Sequence, residues 1–305
     1  MNNIAKLDGI RWEQEYRARR YLEYMTLEQL RQRQDDVMRN GYFIARNGRM
    51  YPECGNSKGI ECLTHIMIEA QLRNVTLTMP PFTFYKHAPR AAELWDSLRL
   101  ENGTYLLKFG RSDYMPAMHR EGKIRISSAT TYDDSSLNPS IRDDELEFTE
   151  ESIGAKIHVP PSGDHTAPIE QWITAPIIST LKYRMRCKSE YYVACFGKRY
   201  AYRIFDDFAP YDACLVIRDP GRFIDTIQQC SKTCLPGFQF CSLPVTYRDP
   251  FFPTHDDDVP FSKHFRYAYQ HEFRIVWEPF TPMQKLPVVN LELGPLTDYC
   301  DLLTL

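Results

Sequence analysis

His271-Glu-Phe-Arg-Ile-Val-Trp277 alternates polar and apolar side chains with period two. As a strand it puts Phe273, Ile275 and Trp277 on one face and Glu272, Arg274 and Val276 on the other. A carboxylate at the start of an otherwise apolar strand must face a cleft, a partner cation or water. Glu272 therefore has two readings. It pairs with Arg274 or another structural cation, or it polarises a substrate hydroxyl and stabilises a developing positive charge.

Upstream of that strand, short β-rich runs alternate with short helices. Tyr105-Leu-Leu-Lys-Phe109, Lys123-Ile-Arg-Ile-Ser127, Tyr191-Tyr-Val-Ala-Cys-Phe196, Ala213-Cys-Leu-Val-Ile217 and Val245-Thr-Tyr247 read as strands, as does Leu286 to Leu291 after it. Ser112 to Glu121 reads as a helix closed by Gly122, where a left-handed residue is wanted. Asp219-Pro220 opens another by the cap and first-turn rules. Residues 1–102 look helical instead. Thr26-Leu-Glu-Gln29 is a capping box, Ile60, Leu63, Met67 and Ala70 recur along one helical face, and Pro89 can open a further helix. The expected fold class is α+β, with a helical N-terminal region (1–102) before a catalytic-looking body (103–305).

The 305 residues allow one large domain or two, and 43% hydrophobic with 25% charged residues is a globular composition. No apolar run approaches the roughly 18 residues that a membrane span needs. The N-terminus has no apolar core after its first charges, so a cytoplasmic location with reduced thiols is expected. Among the nine cysteines, Cys230, Cys234 and Cys241 come nearest to a cluster, with His255 as a fourth zinc ligand. Their spacing fits no compact finger, and buried thiols are the better reading. The net charge of −3 excludes a chain-wide handle for nucleic acid but leaves local ones. Residues 133–151 hold eight acids and one Arg, a net −7, and read as an exposed segment. Residues 182–203 hold seven Lys+Arg and one Glu, a net +6, with five tyrosines interleaved. That stretch is either a polyanion surface, since cations track phosphates and rings stack on unpaired bases, or a basic segment docked on the acidic one.

A second constellation runs from Lys108 and Arg111, through Arg125, Ser127 and Ser128, to Tyr132. Cations and hydroxyls suit a diphosphate and a ribose, and a ring suits stacking on a nicotinamide. The alternative is a hydrogen-bonded strand–turn corner, since Thr130, Thr131, Asp133 and Asp134 are ordinary turn formers.

The order of these elements carries a resemblance. YLLKFGRSDYMPAMHREGKIRISSATTYDDSSLN (105–138), YYVACFGKRYAYRIFDDFAPYDACLVI (191–217) and PVTYRDPFF…FSKHFRYAYQHEFRIVW (244–277) resemble an uncharacterised bacterial family. That family shows a strand ending in Lys-Tyr, a Phe-Asn-Asp-Pro turn, a Cys-Phe-Ser strand and a Lys-His-x-x-Tyr helix entering a Glu-x-Arg strand. The arrangement also resembles the ADP-ribosyltransferase fold of toxin-like bacterial enzymes of the DarT kind. The resemblance implies a split β-sheet core and mono-ADP-ribosyl transfer from NAD to a macromolecule by a toxin or antiviral effector held by an antitoxin. It also implies Glu272 as catalytic glutamate, with Lys108, Arg111, Arg125, Ser127, Ser128 and Tyr132 on the NAD side. The chain departs from the pattern with Lys108 where His is usual and Tyr132-Asp-Asp134 in the turn. Single-stranded nucleic acid, RNA before DNA, is the expected acceptor.

Overall fold

The computed structural model describes residues 2–53, 57–79, 83–100, 104–152, 156–159, 173–176, 181–252 and 258–305. The N-terminal part comprises α1 (Asn2–Arg19), α2 (Leu27–Asn40), the hairpin β1 (Tyr42–Ile44) and β2 (Met50–Pro52), α3 (Ser57–Leu72) and α4 (Ala88–Ser97). The capping box opens α2 as expected: the Gln29 N–H donates to the Thr26 hydroxyl at 3.2 Å, and the Thr26 N–H donates to the Gln29 side chain at 2.7 Å. The hairpin escaped the sequence reading.

α3 forms where its apolar spacing predicts, but with a different face inward. Of the expected face Ala70 is buried and Leu63 packs on the core, but Ile60 and Met67 are exposed, and Cys62, Ile66 and Glu69 are buried in their place. Glu69 explains the difference. Its carboxylate takes the Tyr16 hydroxyl and the Arg20 and Arg73 guanidiniums, Arg73 at 2.6 Å. An acid so completely paired can sit in a core, and apolar counting cannot see that face.

The body continues with β3 (Leu106–Gly110), α5 (Met115–Glu121), β4 (Lys123–Ser128), β5 (Glu147–Ser152), β6 (Lys156–Val159), β7 (Ile173–Pro176), β8 (Leu181–Arg186), β9 (Tyr192–Gly197) and α6 (Ile204–Asp207). It ends with β10 (Ala213–Ile217), α7 (Pro220–Cys234), β11 (Phe238–Pro244), β12 (Thr246–Arg248), β13 (Ser262–His264), β14 (Glu272–Pro279), β15 (Val289–Glu292) and β16 (Cys300–Thr304). The protein is thus mixed α+β around a large antiparallel sheet ordered β11-β14-β9-β3-β10-β16. β10 is buried on both faces. Ala213, Leu215 and Ile217 join a core with Phe223 and Ile227 of α7, whereas Cys214 and Val216 meet Ala91 of α4. Helices therefore cover both sides of the sheet, and the N-terminal region packs directly on it.

The sheet forks at β9. One edge of that strand is fully paired with β14. Its other edge is shared: β3 meets it at Leu107↔Gly197, and β4, itself paired with β15, meets its opposite end at Ser127↔Val193 and Ser128↔Tyr192. Between these two points β3 and β4 diverge.

Gly122 turns α5 into β4 at φ +69°, a left-handed position. A Cβ there would lie 2.0 Å from the Gly294 carbonyl oxygen, which is backbone and cannot swing away. Gly122→Ala is expected to cost more than about 1 kcal/mol, because strain and clash add. Urea unfolding measures it, and an unchanged midpoint would contradict the close approach.

The two charged segments pair with each other. β5 and β8 run antiparallel with Glu147↔Arg186, Thr149↔Arg184 and Glu151↔Lys182 in register, and Arg184 Nε lies 3.5 Å from Glu147 Oε1. For residues 182–186, the part of the basic stretch in β8, the docked reading is therefore the observed one. Three tyrosines of the stretch are engaged within the fold: Tyr191 and Tyr192 are buried, and Tyr200 stacks on Trp95 with ring centroids 4.2 Å apart. Nor is the acidic stretch uniformly exposed, because Glu145 is buried.

Candidate active site

A cavity of about 140 Å³ lies where β3 and β4 diverge over β9. β3 supplies Lys108 and Phe109, the 3-10 turn after β4 supplies Tyr132, β9 supplies Cys195 and Phe196, and the start of β14 supplies Glu272. Phe109, Tyr132, Phe208 and Tyr211 give it aromatic walls, and Glu145, Lys263, Gln270 and Glu272 a charged end. Lys108, Tyr132 and Glu272 thus converge from three distant stretches of sequence.

The other four candidates do not line this cavity. Arg111 is exposed and ion-paired with Asp113, and Arg125 is exposed on β4. Ser127 and Ser128 sit where β4 pairs with β9, and the Ser128 hydroxyl lies 3.2 Å from that of Thr131. For these residues the strand–turn corner is what the structure forms.

Glu272 reaches the cavity because the chain turns sharply before it. His271 has φ +45° and ψ 51°, a left-handed conformation that ends the preceding 3-10 turn and starts β14. A non-glycine residue there stores strain of order 1 kcal/mol. The Glu272 N–H donates to the Tyr247 hydroxyl at 2.7 Å, which fixes the strand's first residue. Lys263 Nζ donates to Glu272 Oε2 at 2.9 Å and Arg274 Nε to Glu272 Oε1 at 2.7 Å. Arg274 also forks onto Glu145, with Nη2–Oε1 at 2.8 Å and Nη1–Oε2 at 2.6 Å, and donates to the Pro260 carbonyl at 2.7 Å. All four charged side chains are buried.

Burial by itself would raise the Glu272 carboxyl. The Arg274 and Lys263 cations and their hydrogen bonds outweigh it and hold the carboxyl well below the usual range. At Glu145 burial prevails over Arg274 and Lys263, and the carboxyl is raised. The two acids are thereby pushed apart, the arrangement that separates acid and base roles in a site.

Of the cations that line the cavity, Lys108 has no carboxylate partner among the described residues. Its ammonium donates to the Cys195 carbonyl at 3.0 Å and lies 5.2 Å from the centre of the Phe196 ring. Burial lowers its pKa, opposed by Cys195 and Glu272. Lys263 and Arg274 are taken up by Glu145 and Glu272, whereas the Lys108 ammonium has only a carbonyl acceptor. An anionic or strongly polar ligand group would balance it.

The ion pair and the cleft, two alternatives in the sequence, are one structure: the salt-bridged carboxylate is part of the cavity wall. Sequence reasoning missed Glu145, concealed among seven other acids, and Gln270, which carries no motif. Lys263 stood in the Lys263-His264-x-x-Tyr267 stretch but had no assigned role. Among the described residues no group of three or more His, Cys, Asp or Glu could hold a metal ion, and His255 of the zinc reading lies outside them. Among the described residues, too, no helix is long and apolar enough to cross a membrane. Comparison with protein-family models, curated proteins and solved structures finds no match for this chain.

Proposed function

We propose that the chain is a mono-ADP-ribosyltransferase that takes NAD as substrate and modifies a macromolecule. The observation that carries this reading is the convergence of Lys108, Tyr132 and Glu272 on one cavity at a fork in the sheet. The fork agrees with the split core that the family resemblance implies. The cavity is large enough for one aromatic ring of the dinucleotide, with the rest lying toward its mouth.

In this reading the nicotinamide–ribose bond breaks and its electron pair leaves on the nicotinamide nitrogen. The ribose carbon becomes cationic and then bonds the acceptor's nucleophile, which gives up its proton to solvent. Glu272 contributes a fixed negative charge beside the developing cation, held by two cations and needing no reorganisation. Tyr132 and the neighbouring rings offer a stacking surface and keep water from the reacting carbon. Lys108 offers two unused N–H donors to the anionic part of the substrate. The toxin or antiviral role and an antitoxin partner belong to the same proposal.

A second reading has a specific observation in its favour. Both Glu272 oxygens already accept from cations, which suits a binding module that positions a ligand without turning it over. Nicotinamide release separates the two. The wild-type chain should release nicotinamide from NAD, and Glu272→Gln should lower the rate at least about 10²-fold, the loss typical of one key electrostatic group. The sequence alone suggests that Glu272→Gln leaves the fold intact. The structure corrects this, because the carboxamide turns an NH₂ group toward Lys263 or Arg274. Rates are therefore compared well below the variant's own unfolding midpoint. Full activity in the folded variant would remove Glu272 from the mechanism.

A further inference from the structure

Glu145, a buried acid to which the transfer step assigns no role, stands between two cavities. The second has a volume of about 110 Å³ and is lined by Asp143, Asp144, Glu147, Phe148, Ser262 and His264 among others. Among the described residues, Glu145 alone lines both this space and the cavity that holds Lys108, Tyr132 and Glu272. Asp144 on the wall of the second space is exposed, so that space reaches solvent. Glu145 thus separates an enclosed compartment from an acid-lined one open to water.

The two acids of the network differ in what they can still accept. Glu272 is bonded by both Lys263 and Arg274, which hold its carboxyl well below the usual range and make it a weak base. The Glu145 carboxylate meets only the Arg274 fork, one bond to each oxygen, so each oxygen keeps a free lone pair. The Tyr191 hydroxyl donates to the Glu145 carbonyl at 2.6 Å and pins the main chain. Burial raises the Glu145 carboxyl to about 7; Arg274 and Lys263 oppose the rise, while Asp143 and Glu272 add to it. A base poised near neutrality is the one best matched to proton removal at neutral pH. The neighbouring titratable groups do not compete there. Burial holds Tyr132, Tyr191, Cys187 and Cys195 above their usual values, and lowers His264, on the second cavity, to about 4.

We propose that Glu145 takes the proton of the attacking nucleophile and passes it to solvent through the second cavity. The proposal rests on the transferase reading, to which it adds the proton acceptor. The nucleophile's lone pair bonds the ribose carbon, and the electron pair of the nicotinamide–ribose bond leaves on nicotinamide. The nucleophile's proton moves to a Glu145 oxygen. The neutral carboxyl then yields that proton to water in the second cavity and becomes a carboxylate again. Glu272 keeps its charge throughout, so charge stabilisation and proton removal fall to different acids joined by Arg274.

The test follows nicotinamide release from NAD by the full chain across pH, with water as the acceptor, since water too must lose a proton. The wild-type rate should rise about tenfold per pH unit up to about 7 and then level off. Glu145→Gln should lose the rise and run roughly 10²–10⁴-fold below the wild-type plateau, while its affinity for NAD, measured by calorimetry, stays near wild type. Glu145→Asp keeps a carboxylate one methylene further back and should retain the rise with a lower plateau. Rates are compared below each variant's own unfolding midpoint. A purely structural Glu145 would lower stability on substitution and leave the pH rise in place. A wild-type rate that does not change over this range, a rise that persists in Glu145→Gln, or an aspartate variant as flat as the glutamine one would overturn the proposal. No nicotinamide release from the wild type at any pH would overturn the transferase reading and this role together.

Discussion

Arg274→Met should destabilise the protein by about 3–5 kcal/mol, the usual cost of removing one partner from a buried ion pair. Set against a total of roughly 5–15 kcal/mol for a folded protein, that is a large loss. Arg274 has no solvent exposure and serves three acceptors: Glu145, Glu272 and the Pro260 carbonyl. Methionine fills most of its volume and none of its bonds. Glu145 would then lose its two shortest contacts and stay buried. Adding Glu145→Gln should therefore recover part of the loss, because the stranded charge goes with it. Urea unfolding of the single and double variants measures both. A single-variant loss under about 1 kcal/mol, the worth of an exposed pair, would mean that the four groups are not a closed buried network.

Lys108→Met should show the opposite pattern. A half-buried ammonium with one carbonyl acceptor and, among the described residues, no carboxylate partner costs free energy to keep, so its removal should leave stability unchanged or raise it. Turnover of NAD should nevertheless fall about 10²-fold or more, because the substrate loses a fixed donor. Stability sacrificed for a site is the mark of a functional residue. If Lys108 were structural, the variant would lose stability and keep turnover. Thermal midpoint and nicotinamide release on one preparation distinguish the two.

How far the sequence foretells this structure depends on where each polar group lies. The alternation of 271–277 gives β14 and both its faces correctly, since Ile275 and Trp277 are in the main core and Glu272 and Arg274 are opposite. Asp219-Pro220 and Gly122 mark their helix ends because caps and left-handed turns depend on a residue or two. The failures share one cause. Glu69 and Glu145 are buried acids, and their residue type reads as surface until the arginines that neutralise them are located. Tyr191 and Tyr192 interrupt a basic run and read as a nucleic-acid platform, yet they are core residues at the start of the central strand β9. Arg111 and Lys108 lie three residues apart, but β3 ends at Gly110, so only Lys108 is carried into the cavity. Long-range partners decide these cases, and local sequence does not contain them.

The most direct test of the central claim is the fate of NAD labelled in its adenylate half, incubated with the full chain and single-stranded RNA and DNA oligonucleotides. The account predicts label on nucleic acid, with one nicotinamide released per label transferred, and neither product from folded Glu272→Gln. Free labelled ADP-ribose in place of transfer would make water the acceptor and the protein a hydrolase. Unchanged NAD, from a chain that binds it, would contradict the account outright.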